Sequence, residues 1–291
     1  MDDPLLIDRR PEPGKKCTGV VSRETYKKLE IGKEYIDREF KDIVLKYKKY
    51  EIWFKVDVVR IDRSRLEKDL YKNLRVMRHS NATIISRDLV SVNGVKIKGR
   101  VIDASGWKGK CTWTRAIELE GKPIDQDYIS VFFNEKNPGG FSWVVPLPDR
   151  TLYGAITAVG SPLNFIPYND RSKGVHGGAI PRVYPPRRPS DIIRIGDSTG
   201  LIKTFTGGGF FSIAELLNPT LNALKKGDRT AYDSTYSRVS KEVRRQYVAT
   251  KISSSIWSPL LGIFRILNGK SIRADREFDL HTAVVKLLLS N

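Results

Sequence analysis

The chain has 291 residues, 40% of them hydrophobic and 29% charged, enough for a sizeable core in one large domain or two interleaved ones. Lys and Arg number 51 against 33 acidic residues, a net charge of +18 that favours an anionic partner: nucleic acid, an anionic membrane face or a phosphorylated substrate. No nucleic-acid signature accompanies that charge, two distant cysteines argue against a disulfide scaffold and for a reducing cytoplasm, Asp2 and Asp3 oppose a signal peptide, and no window of about 18 uncharged apolar residues could span a bilayer.

Leu5-Leu6-Ile7 reads as a short buried strand that Asp8 ends, and Arg9 to Gly14 is a loop. In a dinucleotide-binding unit the acidic residue ending the second strand takes the ribose hydroxyls, and Asp8 stands in that place. Such a unit needs about 30 residues for its first strand, Gly-x-Gly-x-x-Gly turn and helix, and only seven precede Asp8. Cys17 follows Lys15 and Lys16: it is either a thiol of lowered pKa, if partly exposed, or a small buried residue in a turn. Ile43-Val44-Leu45 and Ile52-Trp53-Phe54 read as strands joined at Lys48-Lys49, with the lysines on a solvated face. Val58 to Ile61 leads into a helix whose Leu66, Leu70 and Leu74 fall on one apolar face, with Asp62-Arg63 at its start. Ala82 to Gly106 reads as a β-meander, including Val101-Ile102, with an Asn93-Gly94 hairpin turn.

Ile117 to Ile156 reads as mostly antiparallel sheet, with Tyr128 to Phe133 a strand and Asn137 to Gly140 a turn. Phe141 to Val145 and Thr151 to Ile156 flank a Pro148-Asp149 turn. Phe141 and Trp143, two apart, either share the core face of one strand or wall an apolar tunnel. Gly177 to Pro181 reads as a glycine-rich turn, and Tyr184 to Pro189 as a Pro/Arg connector. Asp191 to Leu217 organises the chain: Ile192, Ile193 and Ile195 make a buried strand, Gly196-Asp197 ends it, and Gly207 to Gly209 open an apolar helix from Phe210. This is either a tight packing turn or a ligand site, with the helix start suited to an anion and Asp197 to a sugar or polyol hydroxyl. A helix is predicted over Tyr232 to Tyr247. The apolar stretch Ile256 to Leu267, flanked by Lys251, Arg265 and Lys270, is too short to span a bilayer and reads as an interfacial, substrate-lining or core helix. His79, His176 and His281 have no metal spacing, so no metal is predicted, and no Ser-His-Asp or paired-cysteine arrangement occurs.

Gly196-Asp197-Ser198-Thr199-Gly200-Leu201, followed by Thr206-Gly207-Gly208-Gly209, resembles the third flavin-binding motif of the geranylgeranyl reductase family, within the hydroxybenzoate-hydroxylase-like FAD fold. The family signature Tyr-x-Trp-x-Phe-Pro, seven residues, Gly-x-Gly resembles Phe141-Ser142-Trp143-Val144-Val145-Pro146, seven residues, Gly154-Ala155-Ile156. Trp143, Pro146 and Gly154 match, while Phe141, Val145 and Ile156 depart from it. The resemblance implies FAD as cofactor, with Asp8, Arg63, Asp103, Gly196, Asp197, Gly200, Thr206, Gly207, Gly208 and Gly209 around it. Asp103-Ala104-Ser105-Gly106 resembles the second flavin motif. It further implies a substrate site at Phe141, Trp143, Pro146 and Gly154, and Cys17 as the catalytic candidate.

The expected fold is α/β (α+β). A Rossmann-like FAD domain (1–30, 57–110, 183–240) is interleaved with a β-sheet substrate domain (31–56, 111–182) and followed by a helical region (241–291). The amino-terminal glycine unit is absent, and the expectation is a missing amino-terminal piece; a misassigned start, or weak or absent flavin binding, is the alternative. The implied activity is FAD-dependent reduction of geranylgeranyl or similar isoprenoid chains in lipid biosynthesis, in the cytoplasm or peripherally on an anionic membrane, with a lipid substrate and an unidentified electron donor. The alternatives are another FAD oxidoreductase or monooxygenase of that superfamily, and a flavin-free lipid-binding protein or fragment.

Overall fold

A computed structural model describes residues 4–167 and 174–274. His281 and the end of the 241–291 region lie outside the described residues. β1 (Leu5–Ile7) leads through a loop to β2 (Val20–Ser22) and α1 (Arg23–Leu29). Ser22 caps α1 by accepting from the Thr25 N–H at 3.0 Å. A long hairpin follows, β3 (Ile36–Tyr47) and β4 (Tyr50–Ile61), turning at Lys48 with φ +53°. α2 (Arg63–Lys72) starts on Asp62, whose carboxylate accepts the Arg65 N–H at 3.1 Å. Only Leu66 of its leucine stripe is buried. The helix stops at Lys72, and Leu70 and Leu74 are 55% and 38% exposed, because nothing among the described residues packs over that end of the stripe.

β5 (Arg75–Met77) pairs in parallel with β1. β6 (Ala82–Ser86), β7 (Leu89–Val92) and β8 (Val95–Lys98) form the meander, with positive φ at both Asn93 and Gly94. The meander ends at Lys98. Val101-Ile102 does not extend it, because β9 (Ile102–Asp103) leaves to pair in parallel with β15 (Ile193–Arg194) near the second glycine motif.

Among the described residues the large sheet carries nine strands. β10 (Thr112–Gly121), β11 (Ile129–Phe132), β12 (Phe141–Pro146), β13 (Thr151–Thr157) and β14 (Gly174–Arg182) join β3 and β4 in the order β14-β10-β13-β12-β11-β3-β4. β2 and β16 (Ser271–Arg273) also pair with β4. Gly177 to Pro181, expected as a turn, lies within edge strand β14. A Cβ at Gly177 would meet the Ala116 carbonyl at 2.6 Å, so its missing side chain lets the strand close onto β10, and an edge tolerates Pro181.

α3 (Phe210–Lys226) and α4 (Thr230–Ser255) pack on each other around Tyr232, Tyr236, Val239, Val243, Leu216 and Leu201. α3 runs past Pro219 and ends at Gly227, φ +75°. The apolar stretch after α4 is not one helix. It forms α5 (Trp257–Leu261) and α6 (Ile263–Ile266), and Trp257, Leu261, Phe264 and Leu267 are buried in the core with Phe54, Phe133 and Phe205. Core packing is therefore its role, although Ile256 and Ile266 stay exposed. Among the described residues no helix is long and apolar enough to cross a membrane.

Candidate active site

Short strand β15 delivers the chain to Gly196, φ +66°, and one 3-10 turn, Gly196–Thr199, closes at Gly200 with φ +73°. Two tyrosines of α4 fix this loop. The Tyr232 hydroxyl accepts the Arg194 N–H at 3.0 Å and donates to the Arg194 carbonyl at 2.7 Å, and the Tyr236 hydroxyl donates to the Thr199 carbonyl at 3.0 Å. Ser198 Oγ donates to the Asp103 carbonyl at 2.6 Å, so the second and third glycine motifs meet. The buried Asp103 carboxylate accepts from the Ser105 N–H and hydroxyl, at 2.9 and 2.6 Å, and its other oxygen lies 3.6 Å from Arg194 Nε. Its hydrogen bonds thus hold its own loop.

Asp197 differs. Its half-buried carboxylate has no hydrogen-bond partner among the described residues, and a Cβ at Gly209 would come within 2.9 Å of Asp197 Oδ1. Gly209 begins α3 without a side-chain cap, so the first N–H groups of a 17-residue helix open beside that carboxylate. Gly207 has φ +73°, and a Cβ there would meet Ile180 at 3.0 Å and Ile156 at 3.7 Å. Thr206 is exposed, and a Cβ on Gly208 would meet nothing closer than 3.5 Å. An accepting carboxylate, an open helix start and glycines that bring backbone to the surface fit a ligand with hydroxyls and phosphates, as FAD has.

Gly207 also places the loop over the large sheet, on the face that carries the Trp143 signature. On that face one cross-strand row runs in register through four strands: His176 of β14 opposite Glu118 of β10, Glu118 opposite Gly154 of β13, and Gly154 opposite Trp143 of β12. Gly154 has a steric reason. A Cβ there would sit 2.2 Å from the Trp143 ring, so its absence lets the indole cross β13 and donate to Glu118 Oε2 at 2.7 Å. The hydroxyl of Thr18 donates to the same oxygen. The other oxygen, Oε1, lies 3.1 Å from His176 Nε2, although neither Oε1 nor His176 Nδ1 has a well-formed hydrogen bond. Glu118 is 3% exposed, so the protein buries a carboxylate with two donors on one oxygen and an imidazole beside the other.

The segment before β2 closes this corner. Gly19, φ +72°, packs against the Ile61 carbonyl, and buried Arg60 donates to the Thr18 carbonyl at 3.1 Å while pairing with Asp37. Cys17 is half-buried here. Burial pushes its thiol up, and nearby Arg63 opposes this only in part. Of the two readings of Cys17, the buried residue is the one that fits: Lys16 reaches Glu120 at 2.9 Å, and desolvation holds the thiol above its ordinary value. Arg63 bonds Glu67 at 2.7 Å and stacks over Phe210, the first residue of α3, at 5.3 Å, so it stands beside the glycine loop. Phe141 packs on Phe205 at 5.3 Å and on Trp143 at 5.7 Å; both signature aromatics are half-buried, and Pro146 is buried at the strand end, its carbonyl accepting from Arg38 at 3.1 Å.

Asp8 belongs to the separate β1–β5 pair. Burial would raise its carboxyl, but hydrogen bonds from Arg10 and Tyr71 outweigh that and hold it low. The sequence reading brought out neither Glu118, His176 nor Thr18 as functional. Glu118 alternates within Ala116 to Glu120 like any strand residue, and only strand register reveals its neighbours. Among the described residues no group of His, Cys, Asp or Glu could hold a metal ion.

No protein-family profile matches the chain. Digeranylgeranylglycerophospholipid reductase 2 of Methanosphaera stadtmanae is 23% identical over 271 aligned residues, which cover 73% of this chain and 69% of that protein. Among solved structures, a geranylgeranyl bacteriochlorophyll reductase-like protein from Thermoplasma acidophilum superposes with a TM-score of 0.71 at 16% identity, covering 99% of this chain and 89% of that one. PqsL of Pseudomonas aeruginosa, described as a probable FAD-dependent monooxygenase, gives 0.66 at 10% identity, covering 90% and 91%. CtdE, solved with FAD and a substrate, gives 0.57 at 10% identity, covering 90% and 84%. The mixed α/β architecture of this chain, with its large sheet and the helices α3 to α6, is the fold that these solved structures share.

Proposed function

We propose that the chain is an FAD-dependent reductase of carbon–carbon double bonds in isoprenoid chains carried on lipids. The observation that carries this reading is the juxtaposition at Gly207. The glycine loop rests on Ile156 and Ile180, on the sheet face that presents Trp143 and Glu118. The three matching signature positions, Trp143, Pro146 and Gly154, and the name of the Methanosphaera relative support the substrate class. When bound and reduced, FAD supplies the hydride that no side chain offers. Asp197 would accept hydrogen bonds from cofactor hydroxyls, and the first N–H groups of α3 would hold the cofactor's negative charge. Phe141, Trp143 and Phe205 give the alkene an apolar wall and exclude water. Glu118 holds the proton for the second carbon, and His176, less deeply buried, returns one from solvent.

The test begins with purified chain loaded with FAD and freed of excess. Flavin absorbance should persist in the wild type and vanish in Asp197→Ala. Dithionite-reduced protein should then add one hydrogen pair per double bond to a geranylgeranylated glycerophospholipid, read by mass spectrometry. Failure to retain flavin would reject the reading, and oxygen uptake with a hydroxylated product would replace it by a monooxygenase.

A further inference from the structure

We propose that the outer face of α4 is a membrane-docking surface that recognises anionic phospholipid headgroups. The inference is independent of the reaction proposed above. A groove of about 750 Å³ runs between α4 and the Pro/Arg connector. One end is lined by Arg187, Lys241, Arg244 and Arg245, and the other by Val248 and Ile252. The α4 positions 241, 244, 245, 248 and 252 share one helical face by their spacing. That face is opposite in character to the one made by Tyr232, Tyr236, Val239 and Val243, which is buried against α3.

Two observations point to a lipid surface. None of the four cations forms an ion pair with a carboxylate among the described residues. Arg244 instead stacks on half-exposed Tyr184 at 4.1 Å, and the α4 carboxylates Asp233 and Glu242 do not line the groove. Cations left unpaired in a cluster raise the local potential for an anion. The same face then continues into aliphatic side chains exposed to water: Val248 is 47%, Ile252 57% and, one turn on, Ile256 48% exposed. Lys251 stands among them, stacked on Tyr247 at 5.3 Å. A soluble phosphate ligand would use the cations and leave the aliphatic residues unexplained. A bilayer interface uses both, with headgroup phosphates at the arginines and shallow insertion of isoleucine and valine.

The test uses the full chain and co-sedimentation with vesicles of phosphatidylcholine alone or mixed with phosphatidylglycerol. Binding is expected only to the anionic vesicles and should weaken with salt. Lys241→Glu with Arg245→Glu should lower the partition coefficient by about 100-fold, several-fold for each charge removed or reversed. Ile252→Gln, which removes the aliphatic surface without adding charge, should lower it while leaving the salt dependence unchanged. Lys225→Glu with Lys226→Glu, at the far end of α3, is the charge-matched control and should retain most of the binding. The proposal is overturned if wild type ignores anionic vesicles, or if the control loses as much as the α4 variant. It is also overturned if Ile252→Gln binds as wild type, or if inorganic phosphate at constant ionic strength displaces the protein completely, which would mark a soluble-phosphate site.

Discussion

Replacing Gly154 by alanine tests the row that builds the site. The new Cβ would lie 2.2 Å from Trp143 Cζ2 and 2.7 Å from Nε1, against about 3.5–4 Å for normal contact. β13 is buried along its whole length, so the indole must leave. Overpacking of this kind costs about 1–3 kcal/mol. Losing the 2.7 Å bond from Trp143 to the buried Glu118 carboxylate adds about 1.5–3 kcal/mol. Alanine recovers about 0.4–1 kcal/mol by restricting the unfolded chain. The net loss is about 2–5 kcal/mol, a large share of a typical stability of about 5–15 kcal/mol. Urea unfolding followed by far-ultraviolet circular dichroism measures it, with tryptophan emission reporting the displaced indole. The mechanism also predicts coupling: in a Trp143→Ala background Gly154→Ala should fall within about 1 kcal/mol of neutral. A loss below about 1 kcal/mol in the wild-type background, or the same loss with and without the indole, would refute the reasoning.

Two further outcomes follow from the charged groups. In a Cys111→Ser background, iodoacetamide should alkylate Cys17 slowly near neutral pH, with the rate rising only above the ordinary thiol range, because burial pushes this thiol up; labelling as fast as a free thiol at neutral pH would contradict the geometry. Burial opposes the ionised forms of Asp8, Glu67 and Glu215, but Arg10 and Tyr71, the Lys15 N–H and Arg63, and Lys28 and Arg238 respectively outweigh it and hold these carboxyls low. Each therefore stabilises the fold fully above the unfolded carboxylate value of about 4 and loses that contribution as pH falls through its lower folded value. The urea midpoint should drop on acidification through that range, and Glu67→Gln should flatten the drop; a midpoint unchanged on acidification would refute the assignment.

Local chemistry determined much of this protein from sequence alone. Asn93-Gly94 demands a hairpin because both residues take positive φ, and Gly196 and Gly207 mark backbone that other residues adopt only with strain. The short apolar runs Ile43 to Leu45, Ile52 to Phe54 and Phe141 to Val145 predict strands because β-branched and aromatic side chains suit a sheet, and they lie in β3, β4 and β12. The spacing of Asp197 and the glycines was legible for the same reason: the residues that shape the loop are contiguous. Tertiary structure decided whatever depends on register and on partners distant in sequence. Trp143, Gly154, Glu118 and His176 meet because three strand pairings place them in one row, and no local pattern separates Glu118 from any other strand glutamate. Two lysines adjoin Cys17 in sequence, yet burial raises its thiol, and Lys16 reaches Glu120 instead. Leu70 and Leu74 obeyed helical spacing but stayed in water, because an apolar stripe is buried only where another element arrives to cover it.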